Sequence, residues 1–266
     1  MSNLKIFCVT NKKISHLEGS SLLLASVGKE KFNKNYLKSN IQDNIFYKEK
    51  YYSELTFHYW YWKNLIQQEK AEWVGFCQRR RIWLKNSSSK EFINKQNIKN
   101  HILDFPDPSW SGYDSILCGE IKTSGAKKIK MIKRGWKNLI RNPFILLNKK
   151  KETIRFHFDM HHGYGNLIKA INLMHDKDKN DFLNYVNKNN SFNPHIMFIT
   201  KKKIANQWFN DLFSWLDKCE KVFGFEDLNG YDTTRLYAYL AERYLSFWFK
   251  KYTTYKVHPW KFFEDF

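Results

Sequence analysis

Polar side chains able to do chemistry follow directly after one of the predicted strands. The apolar run from Glu72 to Cys77 predicts a buried strand, and Gln78-Arg79-Arg80-Arg81 comes next. In open α/β sheets, ligands collect at the carboxyl ends of the strands. Because guanidinium groups offer paired donors to phosphate oxygens, these arginines indicate a diphosphate site. A solvated basic turn is the alternative that the spacing leaves open.

Two further groups contain residues of metal-binding or acid–base type. Asp159, His161 and His162 stand together, but adjacent histidines point to opposite faces of a strand or splay by about 100° on a helix. This spacing disfavours a shared metal ion. Asp176 and Asp178 form an Asp-x-Asp pair, a pattern that often holds a divalent cation. No strand precedes the pair, and the surrounding Lys and Asp residues predict a solvated loop.

A polar stripe lies on the last strong helix, predicted from Thr234 to Phe249. The stripe has i, i+4, i+7 and i+11 spacing, and its members are Arg235, Tyr239, Glu242 and Ser246. Polar groups on a mostly apolar helix need partners. Two interpretations stay open: a structural ion pair of Glu242 with Arg235 or Arg243, or a catalytic carboxylate at Glu242.

Several common catalytic motifs are absent from the sequence. It contains no G-x-G-x-x-G, no P-loop, no G-x-S-x-G and no H-E-x-x-H. This excludes the commonest dinucleotide-binding, NTP-hydrolysing, serine-hydrolase and zinc-protease classes.

The elements that must position these residues alternate between strand and helix. Aromatic and apolar residues Leu55, Tyr59, Trp62 and Ile66 recur at helical spacing and predict a helix over Ser53 to Gln67 with one wide buried stripe. The other predicted elements are strands at Leu4–Thr10, Tyr113–Leu117 and His195–Thr200 and a helix at Ile204–Val222. The alternation predicts an α/β fold with crossover connections and a largely parallel sheet.

Composition narrows the class of protein and its partners. The 266 residues are 42% hydrophobic and 18% aromatic, which excludes a disordered chain. The formal charge of +19 predicts an anionic partner. The four cysteines are widely spaced without a C-x-x-C pair, so we expect reduced, buried thiols. No apolar run has the length of a signal peptide or a membrane span, and we expect a cytoplasmic protein.

The segment from Lys122 to Lys151 is strongly basic, and its composition indicates an inserted segment. Ten Lys or Arg residues and no acidic residue lie between Lys127 and Lys151. Apolar residues at helical spacing predict a helix ending near Pro143, and they are Ile129, Ile132, Trp136, Leu139 and Ile140. One interpretation is an interfacial helix on an anionic membrane. The other is a solvated basic helix packed on the domain by that same apolar face.

Eight sequence blocks occur together in a fixed order. They are KIFCVTNK from Lys5, DNI from Asp43, SELTFHYWYWKN from Ser53, WVGFCQRRR from Trp73, YDSIL from Tyr113, HHGYGNL from His161, MFITKK from Met197 and RLYAYLAERYLSFW from Arg235. The set resembles the domain-of-unknown-function family of bacterial capsular and exopolysaccharide biosynthesis proteins regarded as GT-A-like glycosyltransferases. The resemblance covers nearly the whole chain outside Lys122–Lys151.

The resemblance implies a Rossmann-like nucleotide-sugar fold, with a mostly parallel sheet flanked by helices and a helical C-terminal part. We expect one glycosyltransferase domain over residues 1–266, with the basic insertion at about 122–151. It implies transfer of a sugar from a nucleoside-diphosphate donor to a glycan or lipid-linked glycan acceptor in surface polysaccharide biosynthesis. We expect activity without added divalent cation and no cofactor. We further expect a location at the inner face of the cytoplasmic membrane if residues 127–151 bind lipid.

On this interpretation we assign candidate roles to particular residues. The donor-binding candidates are Thr10 and Asn11 at the nucleotide, Asp43 and Asn44 at the base or ribose, and Arg80 and Arg81 at the diphosphate. Glu242 is the first candidate for the base that activates the acceptor hydroxyl, and His162 is the second. Asp114, His161, Arg235 and Arg243 are further candidates.

The sequence departs from the family pattern at two places. The strand-end block of the family usually reads His-Tyr-Arg-Arg, and Gln78 and Arg79 replace its His and Tyr. An Asn usually precedes the later Met-Phe-Ile, where Ile196 stands here, with Asn193 as a shifted substitute. These departures indicate a divergent donor or acceptor, or a changed activity. Two rival functions stay open, a nucleic-acid-binding protein and an inactive family member that acts as a scaffold.

Overall fold

The computed structural model describes residues 3–88 and 91–264. The chain forms two compact units. Unit 1 contains Met1–Gly119, His195–Asp211 and Phe249–Phe266, and unit 2 contains Glu120–Pro194 and Leu212–Trp248. The expectation of one domain over residues 1–266 stays a prediction.

The strands and helices follow one another along the chain as predicted for an α/β protein. The strands are β1 (Leu4–Thr10), β2 (Leu23–Ser26), β3 (Leu37–Lys38), β4 (Trp73–Gln78), β5 (Arg81–Trp83), β6 (Ser115–Leu117), β7 (Ile121–Lys122), β8 (Ser191–Phe192), β9 (Phe198–Lys201), β10 (Tyr255–Val257) and β11 (Trp260–Phe262). The helices are α1 (Glu49–Tyr52), α2 (Leu55–Asn64), α3 (Ile98–His101), α4 (Lys128–Arg141), α5 (Ile154–His162), α6 (Asn166–Ile171), α7 (Asp176–Lys188), α8 (Lys202–Phe223), α9 (Tyr231–Thr234) and α10 (Leu236–Tyr252). Short 3₁₀ turns connect several of these elements.

Unit 1 is built on one sheet, which among the described residues has nine strands. Its main order is β10-β6-β9-β4-β1-β2-β3, with β5 joining β4 to β11. Among the described residues, the pairs β4–β1, β1–β2, β2–β3 and β6–β10 are parallel, and four other pairs are antiparallel. The predicted α/β fold is confirmed, with a sheet that is mixed and not mostly parallel. β9 runs antiparallel to both of its neighbours, β4 and β6. The carboxyl ends of β1, β2, β3 and β4 therefore lie at one edge of the sheet.

The bounds predicted for the first strand, β1, are correct, and those predicted for the strand at His195–Thr200 are not. β1 is buried along nearly its whole length, as expected for a strand covered on both faces. The strand predicted at His195–Thr200 begins only at Phe198. His195 and Ile196 have φ of 77° and 51°, so the backbone turns there before the strand starts.

Helix α2 is shorter than predicted, and of the predicted buried stripe Leu55 and Ile66 are buried. It spans Leu55–Asn64 instead of Ser53–Gln67, and a separate 3₁₀ turn follows at Ile66–Gln68. Phe57 and Tyr61 are fully buried, and their rings lie 5.6 and 4.8 Å from the ring of Phe7. Tyr59 and Trp62, which the sequence placed on the buried stripe, are only partly buried. The face of α2 that packs on the aromatic residues of the sheet is therefore centred on Phe57 and Tyr61.

A buried histidine on α2 makes unit 1 sensitive to acid. His58 is 1% exposed, and its ring packs 4.4 Å from that of Phe76, centroid to centroid. Burial lowers the pKa of His58 to about 3. Below pH 6.5 the unfolded chain binds a proton that the folded chain does not. Stability therefore falls as the pH drops from about 6.5 towards 3, at about 1.4 kcal/mol per pH unit for this residue.

His58→Phe keeps a ring in this position and removes the titrating group. The variant should lose part of the fall in unfolding free energy between pH 6.5 and 4.5 and behave like wild type above pH 7. Denaturant unfolding at a series of pH values measures the slope. Equal slopes for the two proteins would contradict the assignment.

Unit 2 is mostly helical, with β7 and β8 paired antiparallel. The Asp-x-Asp pair was predicted to lie in a solvated loop, and this is wrong. Asp176 and Asp178 form the first turn of α7, where acidic residues interact favourably with the helix dipole. Asp178 is 2% exposed, and its carboxylate accepts a hydrogen bond from Tyr244 Oη at 3.2 Å.

The basic segment forms the predicted helix, α4, which ends before Pro143. Its packed face differs from the predicted one. Met131, Gly135 and Leu139 are buried against a cluster containing Phe156 and Met160. A Cβ at position 135 would lie 2.9 Å from the ring of Phe156, so glycine allows the close approach of α4 to α5.

Two other expectations can be compared with the structure. All four cysteines are free and buried, as predicted. Within residues 3–88 and 91–264, none of the helices is both long enough and apolar enough to cross a membrane.

Candidate functional site

The carboxyl ends of β2 and β3 border a cleft of about 320 Å³ in unit 1. Two aromatic rings, two ammonium groups, an amide and a carboxylate line it, from Phe32, Phe46, Lys31, Lys38, Asn40 and Glu30. Ser26 and Gly28 complete the wall. Aromatic faces suit a planar base, and ammonium groups suit phosphate oxygens. The cleft has the chemistry of a nucleotide pocket at the strand edge where α/β sheets bind ligands.

Thr10 ends β1 next to this cleft, and Asn11 follows it. The Thr10 hydroxyl donates to the Lys12 carbonyl at 2.5 Å and accepts from the Lys12 amide at 3.1 Å, so it closes the turn after the strand. Asn11 is exposed. A Cβ at Gly28 would lie 3.4 Å from Asn11 Cβ, which places Asn11 against the cleft wall. Gly28 has φ of 81°, a conformation that favours glycine.

Asp43 and Asn44 hold the loop that carries Phe46 into the cleft. Asn44 Oδ1 accepts from the Phe46 amide at 3.1 Å, forming an Asx turn. Asp43 Oδ1 accepts from Tyr59 Oη at 3.2 Å, and its carbonyl accepts from Asn64 Nδ2 at 2.8 Å. Neither side chain is among the cleft-lining residues. Their contact with base or ribose stays a prediction.

Gln78-Arg79-Arg80-Arg81 forms a two-residue hairpin turn between β4 and β5. Gln78 pairs with Arg81 in the ladder, and Arg81 Nη1 donates to Gln78 Oε1 at 2.8 Å. Gln78 Nε2 donates to the Glu54 carboxylate and to the His195 carbonyl. The Gln78 amide donates hydrogen bonds, as the imidazole of the family's histidine would. Unlike an imidazole, it does not take up or release a proton near neutral pH.

Arg80 and Arg81 share one aromatic platform. Their guanidinium carbons lie 5.3 and 5.1 Å from the ring centroid of Phe262 in β11. Phe263, the next residue, donates its amide to the Arg80 carbonyl at 2.8 Å. Packing on a ring restrains the orientation of a guanidinium while leaving its edge donors available.

Arg79 is the arginine whose charge interacts with the cleft. Burial and the neighbouring Arg80 lower the pKa of Arg79, and the carboxylate of Glu30 opposes this lowering. Glu30 lines the cleft. Arg79 stands where the family pattern has a tyrosine, and it is not among the donor-binding residues predicted from the sequence.

The cleft itself was missed at the sequence level. β2 and β3 are short strands. The sequence signal for β2 is the apolar run Leu22–Ala25. That run is followed closely by Gly28, a signal for a turn after a strand.

In unit 2, three imidazoles on α5 form a second polar cluster. The rings of His157 and His161 lie 4.7 Å apart, and His162 stacks on Tyr239 at 3.7 Å between centroids. His162 Nδ1 lies 2.9 Å from the Asp232 carbonyl. Because a carbonyl only accepts, Nδ1 of His162 carries the proton and Nε2 is the basic nitrogen.

The imidazoles of this cluster are neutral at physiological pH. Burial first, and cationic neighbours second, lower the pKa of His157 to about 2, of His161 to about 4 and of His162 to about 3. Arg243 is the leading cationic neighbour of His157 and His162, and Lys130 is that of His161. A nitrogen with so low a pKa is a weak proton acceptor near pH 7.

Arg243 and Glu242 form an ion pair at this cluster. Arg243 is 2% exposed, and its Nη1 bonds the Glu242 carboxylate. Its Nη2 lies 3.4 Å from His157 Nδ1, and its guanidinium lies 3.9 Å from the ring of Phe192. The Glu242 side chain keeps 16% exposure. The ion pair that the sequence left open therefore exists, and solvent still reaches the carboxylate.

The remaining candidates lie elsewhere. Arg235 is exposed and precedes α10, which begins at Leu236, so the predicted polar stripe lacks its first member. Asp114 stands at the amino end of β6, bonded to Lys201 at 3.1 Å and to Thr254 at 2.7 Å. These bonds lower the pKa of Asp114, with the Thr254 hydroxyl the largest cause.

Asn193 is buried and accepts from Ser246 Oγ at 2.7 Å.

A solved structure has the same fold as this chain. It is the apo form of the bifunctional glycosyltransferase WbbM, which superimposes with a TM-score of 0.66 at 19% sequence identity. The alignment covers 98% of this chain and 45% of WbbM, so the chain spans less than half of that protein's length. This chain therefore shares its α/β architecture with a part of that glycosyltransferase.

The family follows from the sequence itself. The domain of unknown function DUF4422 matches residues 5–253, and the chain belongs to this family. None of the curated proteins matches the sequence significantly.

Proposed function

We propose that this chain is a nucleotide-sugar-dependent glycosyltransferase that builds a surface polysaccharide. The observation that supports the proposal best is the cleft at the carboxyl ends of β2 and β3, with aromatic and ammonium groups on its walls. The glycosyltransferase fold agrees with this chemistry. The acceptor is a glycan or a lipid-linked glycan, and the protein works at the cytoplasmic side.

The cleft would hold the nucleoside of the donor. Phe32 and Phe46 offer faces for the base, and Asn40 offers an amide for its polar edge or for the ribose. Asn11 borders the same pocket through Gly28. Asp43 and Asn44 would act by fixing the loop that carries Phe46, in addition to any direct contact with the donor.

The arginine turn would hold the diphosphate and stabilise the leaving group. In the reaction, the acceptor oxygen bonds to the anomeric carbon while the bond from that carbon to the diphosphate oxygen breaks. Arg80 and Arg81, oriented by the ring of Phe262, would balance the negative charge that develops on that oxygen. Arginines in this role replace the divalent cation of Asp-x-Asp enzymes, and we expect activity without added metal.

Glu242 would accept the proton of the acceptor hydroxyl. Its carboxylate is held by Arg243 and is partly exposed. His162, the second candidate, is a weak base near pH 7 because burial lowers its pKa to about 3.

The diphosphate assignment predicts a loss of donor affinity in an arginine variant. Arg80→Gln/Arg81→Gln should weaken binding of nucleoside diphosphates and their sugars by about 10-fold to 100-fold, because two charged donors are removed. Affinity for the free nucleoside should stay unchanged. Titration calorimetry with uridine, guanosine and thymidine compounds measures both.

Lys34→Gln/Lys95→Gln is the matched control, since it removes the same charge from exposed positions outside the cleft. If the arginine variant binds the diphosphates as wild type does, the diphosphate site lies elsewhere. If wild type binds oligonucleotides and no sugar nucleotide, the nucleic-acid alternative replaces the proposal.

A further inference from the structure

The outer surface of α4 carries an apolar stripe that the fold leaves exposed. Ile129, Ile132, Trp136 and Ile140 are 70%, 53%, 52% and 74% exposed, and Phe144 and Leu147 continue the row beyond the helix at 62% and 78%. At 100° per residue the first four fall within an arc of about 80°. The packed face, with Met131, Gly135 and Leu139, is a different stripe. We call the exposed row the α4 apolar stripe.

Basic residues border the helical part of the α4 apolar stripe on the side away from the packed face. Five cations occupy the next arc of about 100° on the helix, and they are Lys130, Lys133, Arg134, Lys137 and Arg141. Within the described part of the chain, Arg134 is the one member of this group with a carboxylate at ion-pair distance, Asp232 at 2.6 Å. Apolar side chains next to a basic face are typical of a helix that lies in a membrane interface.

A basic cleft lies at the carboxyl end of α4. Its volume is about 350 Å³, and five cations line it without any acidic residue: Arg141, Lys150, Lys151, Arg155 and Lys188. Asp159, buried behind the cleft, lies 3.9 Å from Arg155 and accepts from Asn138 Nδ2 at 3.2 Å. One carboxylate does not neutralise five cations, so the cleft has the charge to receive a phosphate group.

We infer that α4 and the following residues to Lys151 dock on an anionic phospholipid bilayer. The α4 apolar stripe enters the interface, the adjacent lysines meet lipid phosphates, and the basic cleft receives a headgroup phosphate. Charge decides the occupant, because ten basic residues and no acidic one lie between Lys127 and Lys151. A protein partner would have to match both a continuous apolar row and a uniformly positive border. The inference rests on this surface alone and not on the proposed transfer reaction.

Sedimentation with vesicles tests the inference. Phosphatidylcholine–phosphatidylglycerol vesicles should capture the wild-type chain, high salt should release it, and phosphatidylcholine alone should capture much less. Trp136→Ser/Ile140→Ser should lower the partition coefficient at least about tenfold, because apolar area no longer enters the interface. Lys133→Gln/Lys137→Gln should lower it about 30-fold through lost attraction to the leaflet.

Matched controls separate the surface from general effects of polarity and charge. Phe92→Ser/Phe105→Ser changes two exposed apolar residues of unit 1, and Lys34→Gln/Lys95→Gln removes two charges there. Both should be captured like wild type, and all four variants should melt near the wild-type temperature.

Three results would overturn the inference. They are a wild-type chain left in the supernatant with anionic vesicles, α4 variants captured as well as wild type, or capture by oligonucleotides with none by vesicles. Sugar-nucleotide affinity, measured on the same preparations, tests the proposed function separately. It should be the same in the α4 variants and in wild type.

Discussion

Glu242→Gln should lower kcat for sugar transfer by about 10²–10⁴-fold, the usual contribution of a general base. Glutamine has nearly the size of glutamate and keeps an oxygen that accepts from Arg243, but it does not take up the acceptor proton. Donor affinity should change little, whereas the free energy of unfolding should fall, because the buried Arg243 loses its charged partner. Steady-state transfer assays with the donor identified by calorimetry, together with denaturant unfolding, measure these quantities.

Glu226→Gln is the matched control, an exposed carboxylate of the same unit. It should keep wild-type kcat. The competing explanation is that Glu242 serves only as the ion-pair partner of Arg243. A Glu242→Gln protein with kcat within a few-fold of wild type and reduced stability would establish that explanation and remove Glu242 as the base.

Gly75→Ala should reduce the free energy of unfolding by about 1–3 kcal/mol, because overpacking forces neighbouring side chains to move. Gly75 lies in β4 between Ile6 of β1 and Ile199 of β9. An added Cβ would lie 2.7 Å from Ile199 Cγ1 and 3.2 Å from Ile6 Cγ1. Both isoleucines are buried, so neither moves freely. Guanidinium unfolding followed by circular dichroism gives the difference.

Gly119→Ala provides the comparison within the same unit. A Cβ there would meet Val257 Cγ1 at 3.8 Å, an ordinary contact. This variant should be neutral or more stable by about 0.4–1 kcal/mol, since alanine reduces the freedom of the unfolded chain. Equal destabilisation by both substitutions would mean that the close approach at Gly75 is not the cause.

Much of the fold was predictable because its central strands are strongly apolar. β1 and β4 are continuous buried runs, and the aromatic spacing of α2 and α10 indicates helices. The antiparallel direction of β9 was not predictable. A buried strand shows the same apolar run in either direction, so the pattern of apolar residues does not give the direction of the strand.

The candidate site was predictable in residue types and less so in arrangement. The arginine run was visible after β4, but its hairpin geometry depends on β11, whose Phe262 lies far away in sequence. The pairing of Glu242 with Arg243 was foreseen as one of two alternatives. The contacts of His157 with His161 and Arg243 were not predicted, although His157 stands four residues before His161 on the same helix face.

The exposed stripe of α4 shows how helical spacing can mislead. The five apolar residues of the predicted face divide between two stripes, with Leu139 packed and the four others exposed. The packed face uses Met131 and Gly135, and the glycine carried no apolar signal. Periodicity identified the helix correctly but not which side faces the protein.

The order in which the chain is synthesised has a consequence for unit 1. Its sheet needs β10 and β11, at Tyr255–Val257 and Trp260–Phe262, to pair with β6 and β5, which precede them by well over a hundred residues. All of unit 2 leaves the ribosome before these strands. Because domains tend to fold as their chain emerges, unit 2 is able to fold while unit 1 still has an open edge at β6. The ring of Phe262, on which Arg80 and Arg81 pack, is therefore put in place only after unit 2 has been synthesised.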